Sequence, residues 1–269
     1  MPRALVTRPA GQAEDWVRRL RAEGLEAAAL PLIGIAPLVD PRPLAEAWHG
    51  LVRRDLVMFV SPNAVQQFFA QRPAGVDWPA ALCAAAPGPG TAAALRAQGV
   101  VRVVEPVADA AAFDSESLWA VLGPQGPWDG RSVLILRGSS GEDTGLGTGR
   151  EWLIGTLRAA GARVDVQATY RRGAPHWSAE EQAVWTQALA APQAHVWCFS
   201  SSEAIGHLQA LAGTHCAWRG SLALATHPRI AEAARAAGFT AVRELAPTLD
   251  ALVGTLRSLQ RASIQSAPS

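Results

Sequence analysis

The sequence predicts an α/β protein of two similar lobes, each a doubly wound parallel sheet, with one lobe inserted in the other and a two-stranded linker between them. Three observations predict it. The first is a permuted internal repeat. Leu56-Val-Met-Phe-Val-Ser61-Pro-Asn-Ala64 is echoed by Val196-Trp-Cys-Phe-Ser-Ser201-Ser-Glu-Ala204, and residues 83–99 are echoed by 222–238. The third echo is out of order: Ser132-Val-Leu-Ile-Leu-Arg137 and its following helix match Ala4-Leu-Val-Thr-Arg8 and the first helix. The second copy therefore begins at the N-terminus, is interrupted by the whole first copy, and finishes at the C-terminus. The second observation is a regular alternation of short apolar runs with amphipathic Ala/Arg/Glu/Leu segments of helical period. The third is that the apolar runs are nearly continuous, as in parallel strands buried on both faces. Together they give Rossmann- or flavodoxin-like lobes.

In chain order, strands are expected at residues 4–7, 27–32, 56–60, 81–86, 100–104, 132–136, 163–169, 195–199, 221–225 and 241–245. Helices fill most intervals, and Gly24, Gly99, Gly161 and Gly238 mark helix stops. Two segments break the alternation at equivalent places: Leu32-Ile-Gly-Ile-Ala-Pro37 and Tyr170-Arg-Arg-Gly-Ala-Pro175. Both read as extended linkers. Lobe 1 is then residues 1–34 and 176–262, and lobe 2 is 38–169. Residues 35–37 and 170–175 form the hinge, and 263–269 a flexible tail. Lobes so joined would rock as rigid bodies, with a ligand in the cleft between them. The glycine-rich run 138–149 reads as a surface loop.

Composition narrows the function. Hydrophobic residues make up 49% of the 269 residues, ample for two cores, yet no apolar run approaches membrane-spanning length. The N-terminus enters a strand with no signal-peptide layout, so a cytoplasmic protein is expected. A net charge of +1 argues against nucleic acid as partner. All 24 basic residues are Arg, which excludes Lys-based Schiff-base and P-loop chemistry. Of three cysteines, Cys83 and Cys198 lie in apolar strands and read as buried free thiols.

Ligands of open parallel sheets sit beyond the strand carboxyl ends, against helix N-termini. Those places are Thr7-Arg8-Pro9, Ser61-Pro-Asn63, Pro87-Gly88-Pro-Gly90-Thr91, Arg137-Gly138, Ser200-Ser201-Ser202 and Thr226-His-Pro228. Helix capping alone explains their Ser, Thr, Asn and Gly content. Converging on one cleft, they would also make a donor-rich surface for a ligand with several carboxylates or phosphates. Arg8 and Arg137 follow strand ends at matching positions, either to bind an anion or to pair with an acid of their own lobe. Other chemistry finds no support. Gly88-Pro-Gly90 lacks the third glycine of a dinucleotide fingerprint. His207, His215 and Cys216 lack metal-site spacing, and Ser61 and Ser201 lack a hydrolase elbow. Tyr170 remains, the one tyrosine of the chain, at the hinge beside Arg171 and Arg172. Adjacent cations would favour its phenolate and make it a better acid; the alternative is a tyrosine packed on the linker with its hydroxyl bonded to backbone.

These residues resemble the uroporphyrinogen-III synthase family over essentially the full length. The marks are Val6-Thr-Arg-Pro9, Phe59-Val-Ser-Pro-Asn-Ala-Val65, Pro87-Gly-Pro-Gly-Thr-Ala92, Leu134-Ile-Leu-Arg-Gly138, Gly149-Arg-Glu-Trp-Leu153, Gly161-Ala-Arg-Val164 leading to Tyr170-Arg171, and Phe199-Ser-Ser-Ser202. The resemblance implies an enzyme of tetrapyrrole biosynthesis, a cyclising hydro-lyase. It takes hydroxymethylbilane, a linear tetrapyrrole with eight carboxylates, to uroporphyrinogen III, losing water and inverting the terminal ring through a spiro intermediate. It further implies no cofactor and no metal, a monomer without membrane partner, and transient contact with the bilane-producing enzyme. Tyr170 matches the family's candidate for protonating the departing hydroxyl. Substrate binding falls to Thr7, Arg8, Ser61, Asn63, Gly88, Gly90, Thr91, Arg137, Ser200, Ser201, Ser202, Thr226 and Arg229. The family often has a Thr in the last βα turn; here Arg229 or Ile230 stands near its place, and Thr226 or Arg229 would substitute. The 138–149 run is longer than the family's usual one. Two rival readings are a non-catalytic two-lobe binding protein for an anionic small molecule and a nucleotide-dependent enzyme.

Overall fold

The computed structural model describes residues 2–107, 114–140, 148–213 and 218–265. The chain divides into two compact units, residues 1–35 with 173–269 and residues 36–172. The first begins with β1 (Arg3–Val6), α1 (Ala10–Ala22) and β2 (Ala27–Ala29). After β3 (Gly34–Ala36) the second unit runs through α2 (Arg42–Gly50), β4 (Leu56–Phe59), α3 (Pro62–Ala70), β5 (Cys83–Ala85), α4 (Pro89–Ala97) and β6 (Val103–Val104). It continues with α5 (Ser115–Leu122), β7 (Ser132–Ser140), α6 (Thr148–Ala159) and β8 (Arg163–Gly173). The first unit then resumes with α7 (Ala179–Ala190), β9 (His195–Phe199), α8 (Ser202–Ala212), β10 (Leu222–Ala225), α9 (Pro228–Ala236), β11 (Ala241–Glu244) and α10 (Leu249–Gln265).

One sheet has the order β11-β10-β9-β1-β2 and the other β3-β8-β7-β4-β5-β6. Set β4 against β9, β5 against β10, β6 against β11, β7 against β1 and β8 against β2, and the two orders coincide. The permuted repeat of the sequence is therefore a repeat of topology. Pairing is parallel from β4 through β8 and throughout the other sheet.

Period-two alternation sends each strand's apolar residues to both faces. In the first unit Leu5, Trp197, Phe199 and Ala223 pack with α7, α8 and α9 through Trp185, Ile205, Leu208 and Ala231. Ala4, Val6, Val196, Cys198 and Leu224 face the other way, onto Val17 and Leu20 of α1 and Leu252 and Leu256 of α10. In the second unit Leu56, Met58, Val133 and Ile135 pack on α5 and α6. On the far face an aromatic group closes the core: Trp48 stacks on Phe68 at 4.5 Å between centroids, and Phe59 meets Phe68 at 5.7 Å. The expected helix stops hold: Gly24, Gly99, Gly161 and Gly238 all take left-handed φ, from 74 to 98°.

The structure departs from expectation mainly at the segments read as linkers. β8 does not end at residue 169 but runs through Tyr170, Arg171 and Arg172 to Gly173, and β7 runs past residue 136 to Ser140. Both extensions are polar, so apolar periodicity stops before the hydrogen-bond ladder does. Residues 34–36 form β3, which lies beside β8 in the sheet. A Cβ on Gly34 would lie 2.5 Å from the Ala174 carbonyl oxygen, so the two chain segments pass backbone to backbone there. Most of the 138–149 run, Cys216, His215 and residues 266–269 of the expected tail lie outside the described residues, while α10 carries helical backbone to Gln265.

Candidate active site

In the second unit the chain winds outward from β4 to β5 and β6 in one direction, and from β7 to β8 in the other. The β4–β7 junction is therefore the switch point, where parallel sheets open a crevice beyond their carboxyl ends. Ser61 stands at the end of β4 as the N-cap of α3, with extended backbone (φ −161°, ψ 159°), and its Oγ accepts from the Ala64 N–H at 3.2 Å. Tyr170, on β8, reaches across the intervening β7 to the same place: its hydroxyl oxygen is 3.1 Å from Ser61 Oγ, and either can donate. Only 3% of Tyr170 is exposed.

What lies under the ring is Gly138 of β7. A Cβ there would stand 2.5 Å from Tyr170 Cζ, 2.6 Å from Cε2 and 2.9 Å from the hydroxyl oxygen, inside any allowed contact. A β-bulge brings the two together. Arg137 pairs with Ala168, but Gly138 pairs with Tyr170, leaving Thr169 as the extra residue. Thr169 Oγ1 donates to the Arg137 carbonyl at 3.1 Å, and Ser139 Oγ donates to the Tyr170 carbonyl at 3.3 Å. Arg171 follows Tyr170 in sequence but points to the opposite face, where its Nε donates to the Pro37 carbonyl at 3.4 Å. Arg172 shares the face of Tyr170 and is half-buried.

The other expected residues of this unit fall at the same ends of neighbouring strands. Asn63 is buried in the first turn of α3. Gly88 is the N-cap of α4, Gly90 is exposed, and Thr91 is 5% exposed in the first turn. Among the described residues the Thr91 hydroxyl forms no hydrogen bond. Arg137 was expected just beyond a strand; it lies inside β7, at the bulge, because the ladder continues past it.

In the first unit the switch point falls between β1 and β9. A small cavity of about 10 Å³ lies there, lined by Arg8, Trp16, Cys198, Ser200, Thr226 and the apolar Leu252 among others. The Arg8 guanidinium lies 3.9 Å over the Trp16 ring, and its Nη1 donates to Gln12 Oε1 at 3.4 Å. Burial pulls Arg8 down to about 10, which leaves it charged at neutral pH. Burial pushes the Cys198 thiol up to about 12, against the pull of Arg8, so the thiol stays protonated. The cavity thus holds a partly desolvated cation with no acid among its lining residues.

One expected donor is already engaged, and a second serves as a helix cap while keeping its hydrogen. Thr7 is buried, and its hydroxyl donates to the Cys198 carbonyl at 2.8 Å, tying β1 to β9 instead of facing a ligand. Ser201 is the N-cap of α8 and accepts from the Glu203 N–H at 3.2 Å, with Ser202 exposed beside it. In the last βα turn the cap is His227, whose Nδ1 accepts from the Arg229 N–H at 3.1 Å. Sequence reasoning missed it because His is an unusual cap. Aligning the caps Gly88 and His227 sets Thr91 against Ile230, an apolar residue, so no hydroxyl occupies that position. Thr226 lines the cavity, while Arg229 is exposed. Among the described residues no group of three or more His, Cys, Asp or Glu side chains could hold a metal ion, and no helix is long and apolar enough to cross a membrane.

Fold and site together define a double α/β protein: one parallel-sheet plan used twice, with hydroxyls and helix N-termini gathered at the switch point of each copy. A family described as uroporphyrinogen-III synthase HemD matches residues 14–254. The chain belongs to this uroporphyrinogen-III synthase family, and its activity is that of a hydro-lyase of tetrapyrrole biosynthesis. It is 35% identical over 185 residues to the uroporphyrinogen-III synthase of Salmonella typhimurium, a stretch covering 67% of this chain and 69% of that one. It is 34% identical over 191 residues to that of Escherichia coli, covering 68% and 70%. Crystal structures of uroporphyrinogen III synthases share the fold. A Thermus thermophilus mutant enzyme matches with a TM-score of 0.57 at 19% identity, covering 97% of this chain and all of that one. The Helicobacter pylori enzyme matches with 0.60 at 15% identity, covering 96% of this chain and all of that one.

Proposed function

We infer that this chain cyclises hydroxymethylbilane to uroporphyrinogen III, and that Tyr170 gives the proton on which the terminal hydroxyl leaves as water. The observation that carries this reading is the placement of Tyr170. In a chain matching the family over residues 14–254, its one tyrosine sits at a switch point with its hydroxyl on a helix-capping serine. Buried phenols positioned by a partner serve as general acids. Substrate carboxylates are received by strand-end donors: the Thr91 hydroxyl and the α4 N-terminus at Gly88 and Gly90, Asn63, Arg137, and in the other unit Arg8, Ser200, Ser201, Ser202, Thr226 and Arg229. The Arg8 cavity supports this part, because a desolvated cation with no acid in its lining gains from an anion.

The chain acts in the cytoplasm, where members of this family are generally found, and we propose that it does so as a monomer. Bilane that closes unaided gives isomer I, which favours a direct, transient handover from the enzyme that makes it. The test is to supply hydroxymethylbilane and resolve the uroporphyrin isomers after oxidation. Isomer III in excess supports the reading. Isomer I at the uncatalysed rate, with bilane still bound, would instead make this a binding protein.

A further inference from the structure

We propose that Ser61 and Gly138 are positioning residues for Tyr170: Gly138 leaves the space in which the ring lies, and Ser61 donates a hydrogen bond to the phenol oxygen once its proton has passed to the substrate. This rests on the reading of Tyr170 as the proton donor. Gly138 does not serve a left-handed turn, since its φ is outside the positive range. Its missing Cβ matters for room alone: a Cβ there would press to 2.5 Å from Cζ and 2.6 Å from Cε2 of Tyr170. The ring can cross β7 to Ser61 only over a glycine.

A serine hydroxyl has one hydrogen and two lone pairs. One lone pair of Ser61 receives the Ala64 N–H, which leaves the hydrogen for Tyr170. The Tyr170 O–H bond breaks as its proton joins the departing hydroxyl. The C–O bond breaks, water leaves, and the pyrrole spreads the positive charge. The phenolate then accepts from Ser61, itself at the positive end of α3. The proton lost when the last carbon–carbon bond closes the macrocycle restores the phenol, so the net change is one water.

Tyr170 is the only tyrosine, so enzyme carrying carbon-13 at tyrosine Cζ reports it as a single resonance. Ser61→Ala should move that resonance and lower kcat about tenfold, the worth of one hydrogen bond of about 1.4 kcal/mol. KM should stay nearly constant, and the same change should cost nothing further in the Tyr170→Phe background. Ser61→Thr should restore the rate. Ser61→Asp caps the helix but has no hydrogen to donate, so it should remain slow. Gly138→Ala should shift the resonance and slow the enzyme to the Tyr170→Phe level; should that variant not fold, the Ser61 series decides. Equal losses from Ser61→Ala in both backgrounds, or full activity in Ser61→Asp, would overturn the proposal while leaving Tyr170 as the acid. Full activity in Tyr170→Phe would overturn both.

Discussion

Tyr170 reaches Ser61 by lying across Gly138: the two hydroxyl oxygens are 3.1 Å apart, and a Cβ on Gly138 would stand 2.5 Å from the ring carbon bearing the phenol oxygen. Three neighbouring strands of one sheet thus each supply one part of the arrangement. β4 ends in the partner, β7 provides the gap, and β8 carries the phenol. The bulge at Thr169 sets the register that makes them coincide.

Gly138→Ala should therefore destabilise the fold even though its backbone suits any residue. Overpacking of a buried contact costs about 1–3 kcal/mol. The loss should show as a lower denaturation midpoint, and most of it should disappear in a Tyr170→Ala background, where no ring remains to be displaced. A loss of equal size in both backgrounds would mean that Gly138 matters for something other than Tyr170.

The sheet plan was legible in the sequence because repeated apolar runs and glycine stops record buried parallel strands directly. The polar ends of β7 and β8 were not legible, since hydrogen-bond ladders continue where apolar periodicity has stopped. Tyr170 was found because it is the only tyrosine, but as part of a linker beside Arg171. Strand alternation places Arg171 on the other face, and only the ladder could reveal that. One signal for Gly138 was available: a glycine inside a strand often marks the close approach of another group. The commitment of Thr7 to Cys198, and of His227 to the cap of α9, depends on pairings distant in sequence or on an uncommon cap.

Thr91→Val should raise KM for hydroxymethylbilane about tenfold or more while barely moving the melting temperature. Gly88, not Thr91, caps α4, and the Thr91 hydroxyl has no partner among the described residues to lose. One lost hydrogen bond to a charged group is worth about 1.5–3 kcal/mol. A change in stability with unaltered KM would make Thr91 a structural residue.

Arg8→Gln should raise KM about tenfold or more with kcat nearly unchanged, on the same footing of a charge-assisted bond. The folded variant should be no less stable than the parent, because burying the guanidinium is a cost, as its lowered pKa records. Steady-state kinetics and a thermal melt without substrate check both halves. Unchanged KM would remove Arg8 from substrate binding.

Stability should fall as pH rises from 9. The Cys198 thiol, pushed by burial from its usual 9.0 to about 12, keeps its proton in the folded chain while the unfolded chain loses it. Below pH 9 both states are protonated and the full stability is present; above it the loss grows by at most about 1.4 kcal/mol per pH unit, up to about pH 12. Arg8, lowered to about 10, acts in the opposite sense only above that value, so denaturation between pH 9 and 10 isolates the thiols. Cys83 is raised by partial burial as well. Cys198→Ala should flatten the decline more than Cys83→Ala does, and an unchanged slope in Cys198→Ala would contradict the assignment.

The central claim is that the Tyr170 hydroxyl delivers the proton on which water leaves. The most direct measurement is the rate of isomer III formation from hydroxymethylbilane by the parent chain and by Tyr170→Phe, with both isomers resolved and circular dichroism checked for an intact fold. A general acid contributes about 10²–10⁴-fold, and the low end is expected because the pyrrole assists departure of the hydroxyl. The account predicts isomer III formed about a hundredfold more slowly by Tyr170→Phe, with isomer I accumulating as unaided closure overtakes it. Isomer III formed by Tyr170→Phe at the parent rate would contradict it.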